Sequence, residues 1–351
     1  MTELNRKNYN GIDLFKFIFA VIVVMIHAKP FADISETFNW FISNSLFNLA
    51  VPFFFITSGF LLFGKIKNIS NSIEKVNAVK KYVLHILKIY VVWTVLWLPL
   101  KMLGWYTGGG ITTKKLFSHL LDFILTGTTG DALWYLLALV FSAIVYSFIT
   151  KNGQKRRKLI LIASAVIYLV GVLISSYNQL FDGFVLVDWY FGIFGSVDNG
   201  LFVGLIMFSI GAEVAFGMPK LKTKFTTIVA IIAFIAMFLE VILVYKLGYN
   251  RNGVCELFLL PIVSLFLFLT VLNIDLRGND EKYKKMRDYS VLIYVGHCYV
   301  LRILGIIYGI FEISLPNTVN FVVALGITMT FAVLVRFLTK DKNVRILKNL
   351  Y

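Results

Sequence analysis

Ten long apolar stretches divide this 351-residue chain, and they restrict its fold more than any other feature. The hydrocarbon core of a bilayer is about 30 Å thick, and a helix needs about 20 apolar residues to cross it. We therefore predict an all-α polytopic bundle of ten transmembrane helices that forms one integral membrane domain over residues 1–351. The predicted spans are 11–28, 38–63, 82–100, 132–150, 159–176, 200–216, 225–245, 254–274, 289–311 and 318–338.

Basic residues between the spans predict the orientation. Of the 34 Lys and Arg residues, 25 fall in the two tails and in the loops 64–81, 151–158, 217–224 and 275–288, with Arg336 counted in the C-terminal tail. The loops on the other side hold only six. By the positive-inside rule, both termini are therefore predicted to be cytoplasmic.

The net charge of +15 does not indicate a nucleic-acid-binding protein, because apolar residues make up 58% of the chain and mean hydropathy is +0.80. The basic residues flank apolar spans, where they meet anionic lipid head groups, so membrane lipids are the expected partners and no nucleic acid is expected. The first span lacks a cleavage pattern and is interpreted as a retained anchor. Cys255 and Cys298 are isolated thiols without metal-ligand spacing, so they are predicted to be packing residues and no metal site is predicted.

Three cations lie inside the predicted spans, namely Lys16, Lys88 and Arg302. A charge at membrane depth costs at least ~2.5–3.5 kcal/mol, so we expect them to face the protein interior and to have partners. Lys16 and His27 are eleven residues apart, which places them on one helix face about 16 Å apart along the axis. This face is interpreted as a polar track with His27 as proton acceptor or ligand contact; the alternative is that both side chains only anchor the helix at the two interfaces.

Two further spans carry polar features. Pro52 frees a backbone carbonyl in the second span, and Ser58 follows it with a hydroxyl, so a broken helix that lines a cavity is predicted, with a simple packing kink as the alternative. Arg302 lies beyond His297 in the ninth span. Two carboxylates near the outer ends of spans seven and eight are expected to pair with Arg302 or to receive an ammonium group; they are Glu240 and Glu256.

Several motifs, in order, resemble those of the acyltransferase-3 superfamily of ten-helix membrane proteins. They are the basic-x10-His pattern from Lys16 to His27, Val51–Phe55 leading into Ser58–Phe60, Leu133–Leu136, and Ser290 through Tyr294 to His297. A closer likeness is to the membrane domain of vancomycin-resistance serine racemases. It rests on Ala50–Phe55, Leu133–Tyr135, Asn199–Phe202 and Leu259–Val263. Lys16 stands where the signature usually has Arg, which removes the bidentate fork of a guanidinium.

This resemblance implies a bacterial plasma-membrane domain that binds L-serine and delivers it to a cytosolic racemase domain, expected to follow the cytoplasmic C-terminus. Pyridoxal phosphate would belong to that domain, and no cofactor is expected in this chain. The expected substrate contacts are Arg302 for the carboxylate, Glu256 or Glu240 for the ammonium, and Lys16, His27, Ser58, Asn199, Asn252 and His297.

Two alternatives stay open. In an acyl-CoA-dependent O-acyltransferase, His27 would abstract a proton from the acceptor hydroxyl. Lys16, or His85 with Lys88, would then hold the acyl-CoA. In a purely anchoring domain, the buried charges would only be structural. The sequence does not fix the oligomeric state, and a homodimer is compatible with it.

Overall fold

A computed structural model describes residues 9–128, 130–151, 153–217, 221–248, 256–276, 278 and 280–351, with only the backbone of Lys342, Asn343 and Arg345. Across these residues the regular secondary structure is entirely helical. The α-helices are α1 (Asn10–Ala28), α2 (Glu36–Asn44), α3 (Ala50–Ile66), α4 (Ser72–Thr107), α5 (Thr113–Leu121), α6 (Trp134–Thr150), α7 (Gln154–Ser176), α8 (Val185–Phe194), α9 (Leu205–Gly217), α10 (Thr223–Lys246), α11 (Leu260–Leu272), α12 (Asp280–Ile310) and α13 (Asn317–Leu338).

Eight helical stretches in the described residues are long and apolar enough to cross a bilayer. One joins α2 and α3, and another joins the π-helical turn Gly200–Gly204 to α9. The other two predicted spans, 132–150 and 254–274, coincide with α6 and α11, which have only 17 and 13 residues. The polytopic helical bundle is therefore consistent with the structure, whereas ten crossings and cytoplasmic termini stay predictions.

Contacts between helix ends define two faces of the bundle. At one, the amide of Asn10 donates to the carboxylate of Asp280 at 2.8 Å, and the ammonium of Lys67 donates to the Ala215 carbonyl at 2.7 Å. At the other, the carboxylate of Asp33 accepts from the backbone N–H groups of α13. We call the first the basic face, because the predicted basic loops belong to it, and the second the opposite face.

The centre of the bundle is the crossing of α3 and α9, where two glycines allow the backbones to touch. A Cβ atom at Gly211 would overlap the carbonyl of Ile56, and one at Gly59 would overlap the carbonyl of Phe208. The apolar side chains around this crossing, including Phe55, are fully buried. The close approach fixes α3 in position, and α3 in turn carries residues of two cavities described below.

The second span is broken as predicted, but the break lies before Pro52 and not at it. The helix is interrupted at Ser45–Leu46, continues as a short 3-10 turn at Phe47–Leu49, and resumes as α3 at Ala50. Pro52 is the third residue of α3, in the first turn, where its missing N–H group leaves no hydrogen bond unmade.

After the third span, the apolar i, i+3, i+4 pattern of Leu116, Leu120 and Phe123 predicts a short interfacial helix, and the structure has it as α5. The hydroxyl of Thr112 accepts a hydrogen bond from the N–H of Lys115 and caps it. Leu116, Phe117 and Leu120 are exposed on its surface, as an interfacial helix requires.

The C-terminal segment returns to the bundle after α13. Residues Lys342–Leu350 form 3-10 turns that lie against α4 and α13. The indole N–H of Trp93 donates to the Leu350 carbonyl at 3.1 Å, and the hydroxyls of Thr339 and Tyr351 are 3.1 Å apart. The tail is therefore held within the bundle through α4 and α13.

Candidate functional site

Three cavities of the described bundle contain most of the predicted site residues. The basic-face cavity, of about 400 Å³, is lined by Lys16, Ser58 and His85. The His27 cavity, of about 200 Å³, contains His27 and Glu256. The third, of about 310 Å³, contains Arg302 and is called the Arg302 cavity.

The basic-face cavity combines cations with an apolar wall. Lys16 is half-buried in it, and the guanidinium of Arg287 lies 4.0 Å from both Asp13 and Asp288. The hydroxyls of Ser58 and Tyr135 are 3.4 Å apart. The position of Asp13 one turn before Lys16 predicts a pair between them, but Arg287 is the cation at ion-pair distance from its carboxylate. The apolar part of the wall consists of Phe54, Leu61, Ile86, Ile89, Leu136, Leu139, Val291 and Val295.

The His27 cavity has an imidazole and two carboxyl groups. The side chain of His27 is exposed to this cavity, and its ring centroid is 5.0 Å from that of His297, which is fully buried. Asp198 and Glu256 both line the cavity. Glu256 is 4% exposed and accepts a 3.3 Å hydrogen bond from the hydroxyl of Tyr168. The interrupted helix contributes Phe47, Asn48, Val51 and Pro52 to the wall, as the broken-helix prediction required.

Tyr294 separates the basic-face cavity from the His27 cavity and lines both. Its ring packs edge-on against Tyr135 and Phe54, with centroids 5.2 and 5.6 Å apart. As the predicted helical spacing requires, Lys16 and His27 both face cavities from α1. Lys16 lines the basic-face cavity, His27 lines the other, and Tyr294 contributes to the walls of both.

The Arg302 cavity carries both signs of charge. Arg302 and Lys101 supply two cations, Asp131 supplies a carboxylate, and Trp97 and Trp105 complete the wall. Asp131 precedes Ala132, which lines the His27 cavity. These two consecutive residues therefore contribute to the walls of both the Arg302 cavity and the His27 cavity.

Residues 9–337 match the family described as an acyltransferase domain, acyltransferase-3, which is nearly the whole chain. The chain belongs to this family. It is 29% identical over 341 residues to an amino-acid racemase of Enterococcus faecalis, a match that covers 95% of this chain and 47% of the relative. It is 26% identical over 325 residues to a serine/alanine racemase of Enterococcus gallinarum, covering 92% of this chain and 45% of the relative.

A second amino-acid racemase of Enterococcus faecalis is 32% identical over 224 residues, covering 62% of this chain and 30% of that protein. The acyltransferase-3 chain thus spans less than half the length of the curated relatives it matches. No solved structure matches it.

The expected pairing of Arg302 with Glu240 or Glu256 was wrong, because these groups lie apart in the structure. Arg302 follows His297 by five residues, which turns it about 140° around α12 and away from the His27 cavity. Glu240 lines none of the three cavities; it accepts a 2.8 Å hydrogen bond from the N–H of Phe258 and so ties α10 to the start of α11. Lys88 and Arg302 were both expected to face the interior, but both are exposed. Arg302 lies at the open wall of the Arg302 cavity.

Asn199, one of the expected substrate contacts, has a different role in the structure. The carbonyl oxygen of the Asn199 side chain accepts from the N–H groups of Leu201 and Phe202, and its amide donates to Tyr190 at 2.6 Å. Asn199 is thus a helix cap rather than a free substrate contact. Asn252 lies outside the described residues.

Asp131, Asp198 and Tyr294 are among the cavity residues that the sequence did not assign to a site. Asp131 and Asp198 both lie outside the regular helices. Each directly precedes a segment that enters the bundle, and an acidic residue at such a position is the signal that could have identified it. Tyr294 belonged only to a family motif, and nothing local marks it as a partition.

Proposed function

We propose that this membrane domain binds L-serine and delivers it across the membrane to a racemase domain, as part of vancomycin resistance. The support from the comparisons is that two relatives are named amino-acid racemases and another a serine/alanine racemase. More than half the length of each relative lies outside the match. The racemase activity named for them, together with its pyridoxal phosphate, is proposed to belong to that other part.

The observation that carries the proposal is the pair of cavities on the two sides of Tyr294. A transporter needs a substrate site near the middle of the bundle that is reached alternately from either side. The His27 cavity and the basic-face cavity supply two such compartments with one side chain between them. Movement of one tyrosine ring would connect them.

The charges of the cavities fit a zwitterion. Arg302 and Lys101 are suited to the carboxylate of an amino acid, and Asp131 is suited to its ammonium group. We propose the Arg302 cavity as the first binding position on the opposite face. Asp198 and Glu256 then receive the ammonium group in the His27 cavity, and Lys16 attracts the carboxylate from the basic-face cavity.

The test is uptake of radiolabelled L-serine by proteoliposomes that contain the purified protein. Arg302→Ala and Asp131→Asn are each expected to raise the serine concentration for half-maximal uptake about tenfold, which corresponds to ~1.4 kcal/mol of lost binding. Lys114→Ala is the matched control, because it removes an exposed cation near the same face that lines none of the cavities. Absence of both uptake and binding in a folded sample would refute the proposal.

Competition by serine analogues distinguishes recognition of the charged groups of L-serine from nonspecific permeability of the proteoliposomes. L-serine methyl ester lacks the carboxylate and should not compete with L-serine for uptake. D-serine has the same charges with inverted geometry and should compete more weakly than unlabelled L-serine. Equal competition by the ester would contradict the role given to Arg302 and Lys101.

An acyl-CoA-dependent O-acyltransferase is the second candidate, and one observation favours it. The basic-face cavity combines Lys16 and Arg287 with an apolar wall, which suits the phosphates and acyl chain of acyl-CoA, while His27 lies beyond Tyr294 as a base. In that reaction His27 would take the proton of the acceptor hydroxyl as its oxygen attacks the thioester carbon and CoA leaves. Release of free CoA thiol that depends on an acceptor, and that is lost in His27→Ala, would favour this function over transport.

A further inference from the structure

Half of the histidines of this chain and one of its two cysteines meet at one place. The chain has four His and two Cys, and His27, His297 and Cys298 form a cluster whose donor atoms all lie within 4.8 Å of one another. His27 comes from α1, whereas His297 and Cys298 are neighbours on α12. The sequence showed no metal-ligand spacing because these ligands are 270 residues apart along the chain.

The hydrogen bonding of His297 leaves its other nitrogen ready to bind a metal ion. Its Nδ1 is 3.0 Å from the carbonyl of Ile293, which can only accept, so Nδ1 carries the proton. In the neutral ring, Nε2 then carries a lone pair that accepts a 3.2 Å hydrogen bond from the thiol of Cys298, and a metal ion would take the place of that thiol proton. A backbone carbonyl that fixes the far nitrogen is the usual support of a metal-binding histidine.

The spacing and access of the cluster suit a tetrahedral ion with one open position. Two donors on a tetrahedral Zn²⁺ ion are roughly 3.4–3.6 Å apart, given Zn–N and Zn–S distances of about 2.0 and 2.3 Å. The Cys298–His297 separation is already close to this value, and the exposed side chain of His27 need move only about 1 Å. The carboxyl groups of Asp198 and Glu256 line the same cavity.

We propose that His27, His297 and Cys298 form a transition-metal site that binds Zn²⁺ with two nitrogens and one thiolate. The fourth position opens into the His27 cavity, where a water molecule or a polar group of a substrate would bind. Binding replaces the S–H bond of Cys298 with a Zn–S bond and releases that proton to solvent. The proposed metal site does not depend on the proposal of serine transport, because only its three ligands define it.

The test uses Co²⁺ as a spectroscopic probe of the purified full chain in detergent. One equivalent of Co²⁺ should produce a thiolate-to-cobalt charge-transfer band, and Zn²⁺ should abolish it by displacement. Cys298→Ser should eliminate the band, and His27→Ala should weaken binding at least tenfold. Because His27 is exposed to a cavity, its substitution tests the site without disturbing the core.

The remaining two histidines are the matched controls. His85→Ala and His119→Ala should keep the band and change the affinity less than twofold. Absence of the band in folded protein, or its persistence in Cys298→Ser, overturns the proposal. Since the readout is absorbance, a protein without serine uptake can still show the site, and one with uptake can still lack it.

Discussion

The hydroxyl of Tyr294 donates a 3.0 Å hydrogen bond to the carbonyl of Ala132 and thereby joins α12 to the segment that precedes α6. Ala132 lines the His27 cavity, Asp131 lines the Arg302 cavity, and Tyr294 also lines the basic-face cavity. This hydrogen bond therefore connects residues that belong to the walls of all three cavities.

Removal of the Tyr294 ring should connect the two cavities that it separates. Tyr294→Ala is expected to increase passive leak of L-serine through proteoliposomes and to destabilise the protein by ~3–5 kcal/mol through the void it leaves. Tyr294→Phe keeps the ring and loses only the hydrogen bond to Ala132, so it should cost about 1 kcal/mol and keep the membrane tight. Equal leak in the two variants would show that the ring is not the barrier.

The crossing of α3 and α9 should tolerate no side chain at Gly211. In Gly211→Ala the new methyl group would overlap the carbonyl of Ile56, so the helices must separate. A loss of ~1–3 kcal/mol is expected, seen as a lower melting temperature in detergent. Gly64→Ala is the control in α3, because nothing lies within 4 Å of its Cβ position; it should be neutral or stabilising by up to about 1 kcal/mol.

The link between Asp33 and α13 should weaken in acid. Its carboxylate accepts from the N–H groups of Asn317 at 2.9 Å and Thr318 at 2.7 Å, and these backbone hydrogen bonds lower the pKa of Asp33. A depressed pKa in the folded state gives stability that is present above the unfolded value of about 3.9 and is lost as the pH falls through the folded pKa. Asp33→Asn should therefore lower the melting temperature at pH 7, and the difference should shrink below about pH 4.

The matched control for this pH effect is Asp182→Asn, which removes an exposed carboxylate from another loop of the opposite face. It should leave the melting temperature unchanged at both pH values. If Asp33→Asn and Asp182→Asn had the same effect at pH 7, the capping of α13 would not be the cause.

Replacement of Arg157 by Lys should lower the stability of the folded protein. Its guanidinium lies 3.8 Å from the ring centroid of Phe216 and 3.7 Å from the carboxylate of Glu213, which also accepts from the hydroxyl of Tyr146 at 2.7 Å. An ammonium group can satisfy the carboxylate but cannot stack flat on the ring, so Arg157→Lys should cost ~0.5–1 kcal/mol in denaturant or thermal unfolding. Lys158→Arg, at the exposed neighbouring position, should change nothing measurable.

The apolar pattern predicted the location of the helices because burial in lipid leaves the backbone few other ways to satisfy its hydrogen bonds. The break before Pro52 and the short helix α5 followed from the same local rules. Helices α6 and α11, at 17 and 13 residues, are shorter than the pattern predicted, since Asp131 and Glu256 begin segments that enter cavities instead of extending the helices.

From the sequence, the relative positions of site residues could be predicted only when the residues share one helix. Lys16 and His27 share α1, and helical geometry alone places them on one face. The partner of Arg302 depends on how α12 is rotated against its neighbours, and no periodicity within α12 reports that rotation. For the same reason the meeting of His27 with His297 and Cys298 was invisible until the packing of α1 against α12 was known.

The indole of Trp93 holds the carbonyl of Leu350, and the next residue, Tyr351, is itself part of the wall of the basic-face cavity. A force that pulls on the chain after Thr339 would therefore move Tyr351, and with it the cavity wall, without first moving α13. The shape of the basic-face cavity therefore depends on the position of the thirteen residues that follow the last long helix.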